Sequence, residues 1–295
     1  MDKCRDNTRI CFYQIILEML YYICNEMKTT RQDYGNIVYS CYVQMSRQGE
    51  HFVSDHVISY QIAGDLILSD GINEYRSEKG SIRFLKRNQL LKFTKQPPPG
   101  DEFQSLSIHL DQQTLQDFSL AYDVVSEKKC STNSLVFFDS NPQLKTYMDS
   151  LLMYQKSDQL SDPRMVELKI KEVILLLLQE NPELKEVLFD FNEPGKIDME
   201  AFMSKNYHFN VNLDRFAYLT GRSLATFKRD FEKIFGNTPG KWLLQKRLQE
   251  AHYLLAEKGR MASDIYMDLG FEDLSHFSFA FKKQYGLSPS KVVGF

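Results

Sequence analysis

The sequence predicts an α+β chain of two domains: short strands with flanking helices come first, and an all-α part built from two helix-turn-helix units follows. Three observations carry this reading. Leu224, Phe227, Phe231, Phe235, Gly236 and Pro239 recur fifty positions later as Leu274, Phe277, Phe281, Tyr285, Gly286 and Pro289, the register of two copies of one small helical unit. Between Ile37 and Leu110 short apolar runs alternate with turn residues, as antiparallel strands do. At 295 residues the chain is long enough for two cores.

Taken in order, the stretch from Ile10 to Cys24 is apolar, yet at about fifteen residues with Gln14 and Glu18 inside it is too short to span a membrane. Asn25-Glu26-Met27-Lys28 offers no small-residue cleavage site for a secretory signal. It reads as a packing helix or, preferably, as an upstream extension of a reading frame that starts at Met27, since the strand pattern that follows needs nothing before it. Cys4, Cys11, Cys24, Cys41 and Cys130 are odd in number and lack CxxC spacing, which suits free thiols in a reducing cytoplasm.

Strands are expected at Ile37 to Met45, Val57 to Ile62, Leu66 to Leu68, Ile82 to Leu85, Leu90 to Phe93 and Phe103 to Leu110, punctuated by Gly49, Gly64-Asp65, Asp70-Gly71, Lys79-Gly80 and Pro97-Pro98-Pro99-Gly100. This spacing reads as an antiparallel barrel or sandwich. Two helices follow, Pro142 to Gln155 and Pro163 to Glu180. After Glu172 the second is apolar nearly all round, so it is buried on more than one side, against the barrel and then either within the chain alone or against a second chain. Leu188 to Lys196, with Asn192-Glu193-Pro194-Gly195, has the proline and glycine of a linker. The expected division is residues 27–187, a linker at 188–197, and residues 198–295.

In each repeated copy the apolar positions fall at i, i+3, i+7 and i+11, on one side of a helix. Gly236 and Gly286 stand where a left-handed C-terminal cap is needed. Thr238-Pro239 and Ser288-Pro289 then offer an N-cap followed by proline at the first helical position. Shorter helices precede, Leu213 to Leu219 and Asp264 to Leu269, ended by Gly221 and Gly270. Two helices joined by a glycine-containing turn make a helix-turn-helix, whose second member enters a major groove.

Opposite the phenylalanines of the first copy lie Ala225, Arg229, Glu232 and Lys233, with Lys228 at the edge. The planar fork of Arg229 suits guanine O6 and N7, whereas Lys228 and Lys233 suit phosphates. In the second copy the same face carries Ser275, Phe279 and Lys282, flanked by His276, Ser278 and Lys283. Phe279 takes the place of Arg229: it either touches thymine methyls or packs against a neighbouring element and reads nothing. From Asp198 onward there are 14 Lys+Arg against 11 Asp+Glu, and before it 22 against 28. The excess is small, so affinity depends on the placement of a few cations more than on a general positive field.

Arg247-Leu248-x-x-Ala251-x-x-Leu254-Leu255, then Asp264-Ile265, Gly270-Phe271-Glu272-Asp273 and Ser275-His276-Phe277-Ser278-x-Ala280-Phe281-Lys282-Lys283, resemble the DNA-binding domain of AraC/XylS-type transcription regulators over about the last hundred residues. The resemblance implies seven helices, with two recognition helices in successive major grooves of double-stranded DNA, joined by a central helix. Pro239 to Lys258 as helix is roughly 30 Å long, near one turn of DNA, with Leu244, Leu248, Ala251 and Leu255 as its expected buried stripe. Carried over by position, groove-facing residues fall on Ala225, Lys228 and Arg229 and on Ser275, Ser278 and Phe279. Lys233, Lys241, His276, Lys282 and Lys283 are the phosphate candidates, and Phe227, Phe231, Phe235, Phe277, Phe281 and Tyr285 the core. Tyr266 and Phe279 depart from the family's common alanine and polar reader, so the second unit specifies fewer bases.

The order of the first domain resembles the cupin-like sensor domain of the same family, which implies a β-barrel. A metal is not expected, because His51, His56 and His109 lack the cupin His-x-His spacing. The resemblance further implies RNA polymerase as a partner and a homodimer. A group within the family, activators of type III secretion genes, answers to partner proteins instead of small molecules, and the stretch from Leu168 through the first unit is similar to theirs. The leading reading is a sequence-specific, cytoplasmic DNA-binding activator that is not an enzyme, needs no cofactor and has no membrane partner; a small-molecule or protein effector is left open. A cupin-type metalloenzyme with a helical appendage is the rival, and it lacks a metal triad, a nucleophile-base pair and a phosphate-binding glycine loop. An interaction adaptor on the same scaffold would need a blocked groove face.

Overall fold

The computed structural model describes residues 30–47, 52–128, 135–138 and 141–292. The expectations for Ile10 to Cys24, for a start at Met27, and for His51, Cys4, Cys11, Cys24 and Cys130 lie outside the described residues.

Eleven strands are described: β1 Thr30–Asp33, β2 Ile37–Tyr42, β3 Phe52–Val53, β4 His56–Ala63, β5 Asp65–Ser69, β6 Glu74–Ser77, β7 Ile82–Leu85, β8 Gln89–Leu90, β9 Lys92–Gln96, β10 Phe103–Leu110 and β11 Leu135–Phe137. They pair as a six-stranded sheet β1-β2-β10-β4-β7-β11, a three-stranded sheet β6-β5-β9 and the pair β3-β8. Every pairing is antiparallel. The closed cupin-like barrel expected from the resemblance is not what the hydrogen bonding makes. Among the described residues all three strand orders are open, with β1 and β11 as edges of the main sheet. The expected strand from Leu90 to Phe93 is broken at Leu91, between β8 and β9.

The two-residue period of a strand sends alternate side chains to opposite faces, and the main sheet divides accordingly. Ile37, Ile58, Phe84, Leu106 and Ile108, none of them exposed, face a layer of helices. That layer is α1 Gln112–Tyr122, α2 Pro142–Lys156, α3 Pro163–Glu180 and the single turn α4 Lys185–Leu188. Asp111 and Asn141 cap α1 and α2 by accepting from the Thr114 and Leu144 amides at 2.8 and 2.7 Å; Asp162 caps α3, whose first residue is proline. The other face carries Ser40, Ser59, Gln61, Arg83, Ser105 and Ser107, in register through Ser105↔Ser40, Ser107↔Ser59 and Ser59↔Arg83. A hydroxyl-rich face this buried must bond within itself or enclose something polar.

On α3, Val166, Ile170, Val173, Ile174 and Leu177 are buried, while Leu168 and Leu175 are 61% and 48% exposed. The apolar excess therefore forms an outward stripe at i and i+7, and Leu178 is half-buried against the core. His56 is a core residue: it stacks on Phe84 at 5.6 Å and its Nδ1 accepts from the Arg87 amide at 3.2 Å. Burial pushes its pKa down to about 3, so the ring is neutral.

From residue 198 onward the described residues form seven helical segments: α5 Met199–Asn206, α6 Leu213–Leu219, α7 Leu224–Phe235, α8 Pro239–Ala256, α9 Ala262–Ile265, α10 Leu274–Tyr285 and a 3-10 turn at Pro289–Lys291. The helix expected from Asp264 to Leu269 is shorter and begins earlier, as α9. Two separate cores form, one around Phe216, Phe227, Phe231 and Trp242, the other around Ile265, Phe271, Phe277 and Phe281. Phe52 and Leu90 of the sheet region join the first, with Phe52 edge-on to Tyr218 at 6.2 Å.

Candidate nucleic-acid interface

Each recognition helix is positioned by its ends and its buried face. Ser223 accepts from the Thr226 amide at 3.3 Å to start α7, and Asp273 accepts from the His276 amide at 2.6 Å to start α10. Gly236 at φ +66 and Gly286 at φ +78 end them, their amides donating to the Glu232 and Lys282 carbonyls at 3.0 and 2.8 Å. Thr238 and Ser288 do stand at N-cap positions before proline, but neither side chain makes a capping hydrogen bond.

Phe227, Phe231, Phe277 and Phe281 are fully buried, and Phe235 and Tyr285 are partly buried against the same clusters. Since those side chains take one face of each helix, the opposite face is presented to solvent. Ala225, Lys228, Arg229 and Lys233 are exposed on α7; Ser275, His276, Phe279, Lys282 and Lys283 are exposed on α10, with Ser278 intermediate; Lys241 is exposed at the start of α8. Phe279 is 69% exposed, so it is not packed against a neighbouring element. Arg229 has its side chain 65% exposed, with Nε 3.6 Å from an Asp230 carboxylate oxygen, and a surface pair of that length constrains it little.

The helix α8 that joins the units spans about 27 Å at ~1.5 Å per residue. Its buried stripe differs from the expected one: Leu244 is 37% exposed, and Leu243 is buried instead, with Leu248, Ala251 and Leu255. Leu243, Arg247, Ala251 and Leu255 form one row at i, i+4, i+8 and i+12, which places a guanidinium in an otherwise apolar row. Arg247 donates through Nε to the Tyr207 carbonyl at 2.8 Å, through Nη2 to Phe209 at 2.8 Å and through Nη1 to Gly270 at 2.9 Å. Burial pushes its pKa down to about 10. Lys92 of the sheet region donates to the Asp268 carbonyl and lies 5.6 Å from the Phe209 ring centre, and Arg47 lies 3.7 Å from the Asp268 carboxylate. Sequence reasoning missed these contacts, although a charge in the row of Leu243 and Ala251 was a legible sign of one.

In the first domain a cavity of about 260 Å³ lies between the polar face of the main sheet and the strands opposite, lined by Ser59, Arg83, Ser105, Ser107, Phe93 and Phe103 among others. Arg83 is 3% exposed; its Nη1 donates to Ser77 Oγ at 2.8 Å and to Gln61 Oε1 at 3.2 Å, and its Nε has no hydrogen-bond partner among the described residues. Burial alone pushes its pKa down, to about 9.

A family model described as a helix-turn-helix domain matches residues 216–293, and one described as the ExsA N-terminal regulatory domain matches residues 56–187. The chain is 27% identical to the HTH-type transcriptional regulator ExsA of Pseudomonas aeruginosa over 239 residues, which is 78% of this chain and 83% of that protein. It is 26% identical to the thermoregulatory protein LcrF of Yersinia pestis over 262 residues, 85% and 90% of the two. Among solved structures, apo ToxT of Vibrio cholerae aligns over 88% of this chain and 97% of its own with 12% identity and a TM-score of 0.42. Two helix-turn-helix units behind a sheet-rich regulatory region define a DNA-binding transcription regulator. The chain belongs to the AraC/XylS family of these regulators.

Proposed function

We propose that the chain is a transcription activator that reads two adjacent major grooves, one with α7 and one with α10. The observation that carries this is the division of both helices into a buried aromatic face and an outward face bearing Arg229 and Lys228 in one case and Ser275, Ser278 and Phe279 in the other. Arg229 is the guanine reader, Phe279 contacts thymine methyls, and Lys233, Lys241, His276, Lys282 and Lys283 hold phosphates. Relatives named as activators, RhaS of Escherichia coli among them, support the sign of regulation, and RNA polymerase is the partner an activator acts on. Residues 27–187 are the regulatory and dimerising part, 188–197 the linker and 198–295 the DNA-binding part, in a protein that works in the cytoplasm. Leu168 and Leu175 supply an outward apolar stripe for a second copy.

Selection of binding sites from random duplexes by the wild-type chain and by Arg229→Ala tests the assignment. The variant loses about 1–3 kcal/mol on the wild-type site and relaxes one guanine position. An unaltered consensus removes Arg229 from the base readers.

The cavity around Arg83 favours a small anionic effector over control by a protein partner alone. A desolvated guanidinium without a carboxylate gains from any ligand that supplies one. Thermal melting of the full chain with a series of small carboxylates and their neutral alcohol analogues decides: a rise with a carboxylate, absent in Arg83→Met, supports the effector, and no rise with any leaves a protein partner as the regulator.

A further inference from the structure

Among the described residues the two helix-turn-helix units do not share a hydrophobic core. Trp242 and Leu243, near the start of α8, belong to the first cluster, and Leu248, Ala251 and Leu255 belong to the second. Arg247 sits where one cluster gives way to the other. Its three hydrogen bonds divide between the units: Tyr207 and Phe209 precede α6, and Gly270 lies in the turn before α10. Gly270 adopts φ +83, and a Cβ there would stand 2.8 Å from the His208 carbonyl oxygen and 2.9 Å from Arg247 Cζ. Only glycine lets the backbones of the two units approach so closely. On the surface beside this contact, Asn210 Nδ2 donates to Glu272 Oε1 at 3.1 Å, again across the units.

We infer that Arg247 is a positioning residue that fixes the relative orientation of α7 and α10, and through it the spacing between the two half-sites the protein accepts. A packed apolar core resists rotation because every side chain is interlocked, but this junction has a polar clasp in place of one. A planar guanidinium bonded to three carbonyls in different directions holds both units in one geometry, as a lysine ammonium on a flexible stem does not. When one recognition helix has bound, the other engages its half-site at an effective concentration set by how narrowly the junction restricts it. Loosening the clasp therefore lowers affinity for the paired site and broadens the accepted spacing, while each half-site is read as before.

This inference rests on the two-groove reading, and the experiment separates the two. Sites are selected with the full wild-type chain from random duplexes. The consensus is then rebuilt with the half-sites one or two base pairs closer or farther apart, and as single half-sites. Wild type, Arg247→Met and Arg247→Lys are titrated against the set, with the emission of Trp242 as a check that the first unit is folded. Expected is a paired-site affinity reduced about tenfold or more in both variants, a flatter dependence on spacing, and single-half-site affinity within about twofold of wild type. The lysine variant behaves like the methionine one because geometry, not charge, is the function. An unchanged spacing profile overturns the inference, as does an equal loss on single and paired sites. If Arg247 variants do not fold, Glu272→Ala decides in their place: it broadens the spacing profile, and a wild-type profile overturns the inference. A wild-type selection that returns no pair of half-sites defeats the two-groove reading instead.

Discussion

Phe231→Ala tests whether the first helix-turn-helix unit is a cooperative core of its own. Phe231 is wholly buried, with ring centres at 5.5 Å from Phe227, 4.3 Å from Phe235 and 5.5 Å from Trp242, the last edge-on at 79°. Truncating such a ring removes its transfer energy and leaves a cavity, together about 3–5 kcal/mol, most of what a core this small supplies. With a urea slope of about 2 kcal/mol per molar, the unfolding midpoint moves down by roughly 2 M. Trp242 is the chain's one tryptophan, so urea titration of the full chain followed by tryptophan emission reports this unit selectively. Phe281→Ala provides the contrast. Phe281 is equally buried, 5.8 Å from Phe277 and 4.7 Å from Tyr285, and costs a similar amount by far-ultraviolet circular dichroism, yet leaves the native Trp242 emission in place because it lies in the other cluster. A loss of under about 0.5 kcal/mol in Phe231→Ala, a midpoint shift of under about 0.25 M at that slope, would refute the core assignment. Equal loss of the Trp242 signal in Phe281→Ala would refute the separation of the two cores.

Two further outcomes are expected. Phe279→Ala weakens a thymine preference in the second half-site and leaves the salt dependence of binding nearly intact, whereas Lys282→Ala weakens all sites alike and flattens the logarithmic salt slope by about 0.9 per lost phosphate contact; site selection and titration over a salt series distinguish them, and an unaltered preference in Phe279→Ala would free that ring of a reading role. The full chain sediments as a dimer, and Leu168→Asp with Leu175→Asp makes it monomeric without lowering its melting temperature by more than a few degrees, since both side chains point outward; a dimer that survives the double change places the interface elsewhere.

The recognition helices were legible in the sequence because everything that makes them is local. Caps bond within four residues, as Ser223 does to Thr226 and Asp273 to His276, and one turn of helix decides which side the phenylalanines take. The α3 boundaries, Pro163 to Glu180, were read for the same reason. Strand positions such as Ile82–Leu85 and Phe103–Leu110 were read, but their partners were not. β10 lies between β2 and β4, and pairing over that sequence distance is set by global packing, which leaves open sheets where a closed barrel was expected. The choice of Leu243 over Leu244 as the buried residue of α8 is a rotation of one position, decided by what the helix packs against. The burial of Arg83 with an unpartnered Nε among the described residues and the gathering of three carbonyls by Arg247 exist only once distant segments meet. Local periodicity thus determined the elements and the face each recognition helix shows to solvent. The tertiary structure decided how the two helices are held relative to one another, because that depends on hydrogen bonds between groups dozens of residues apart.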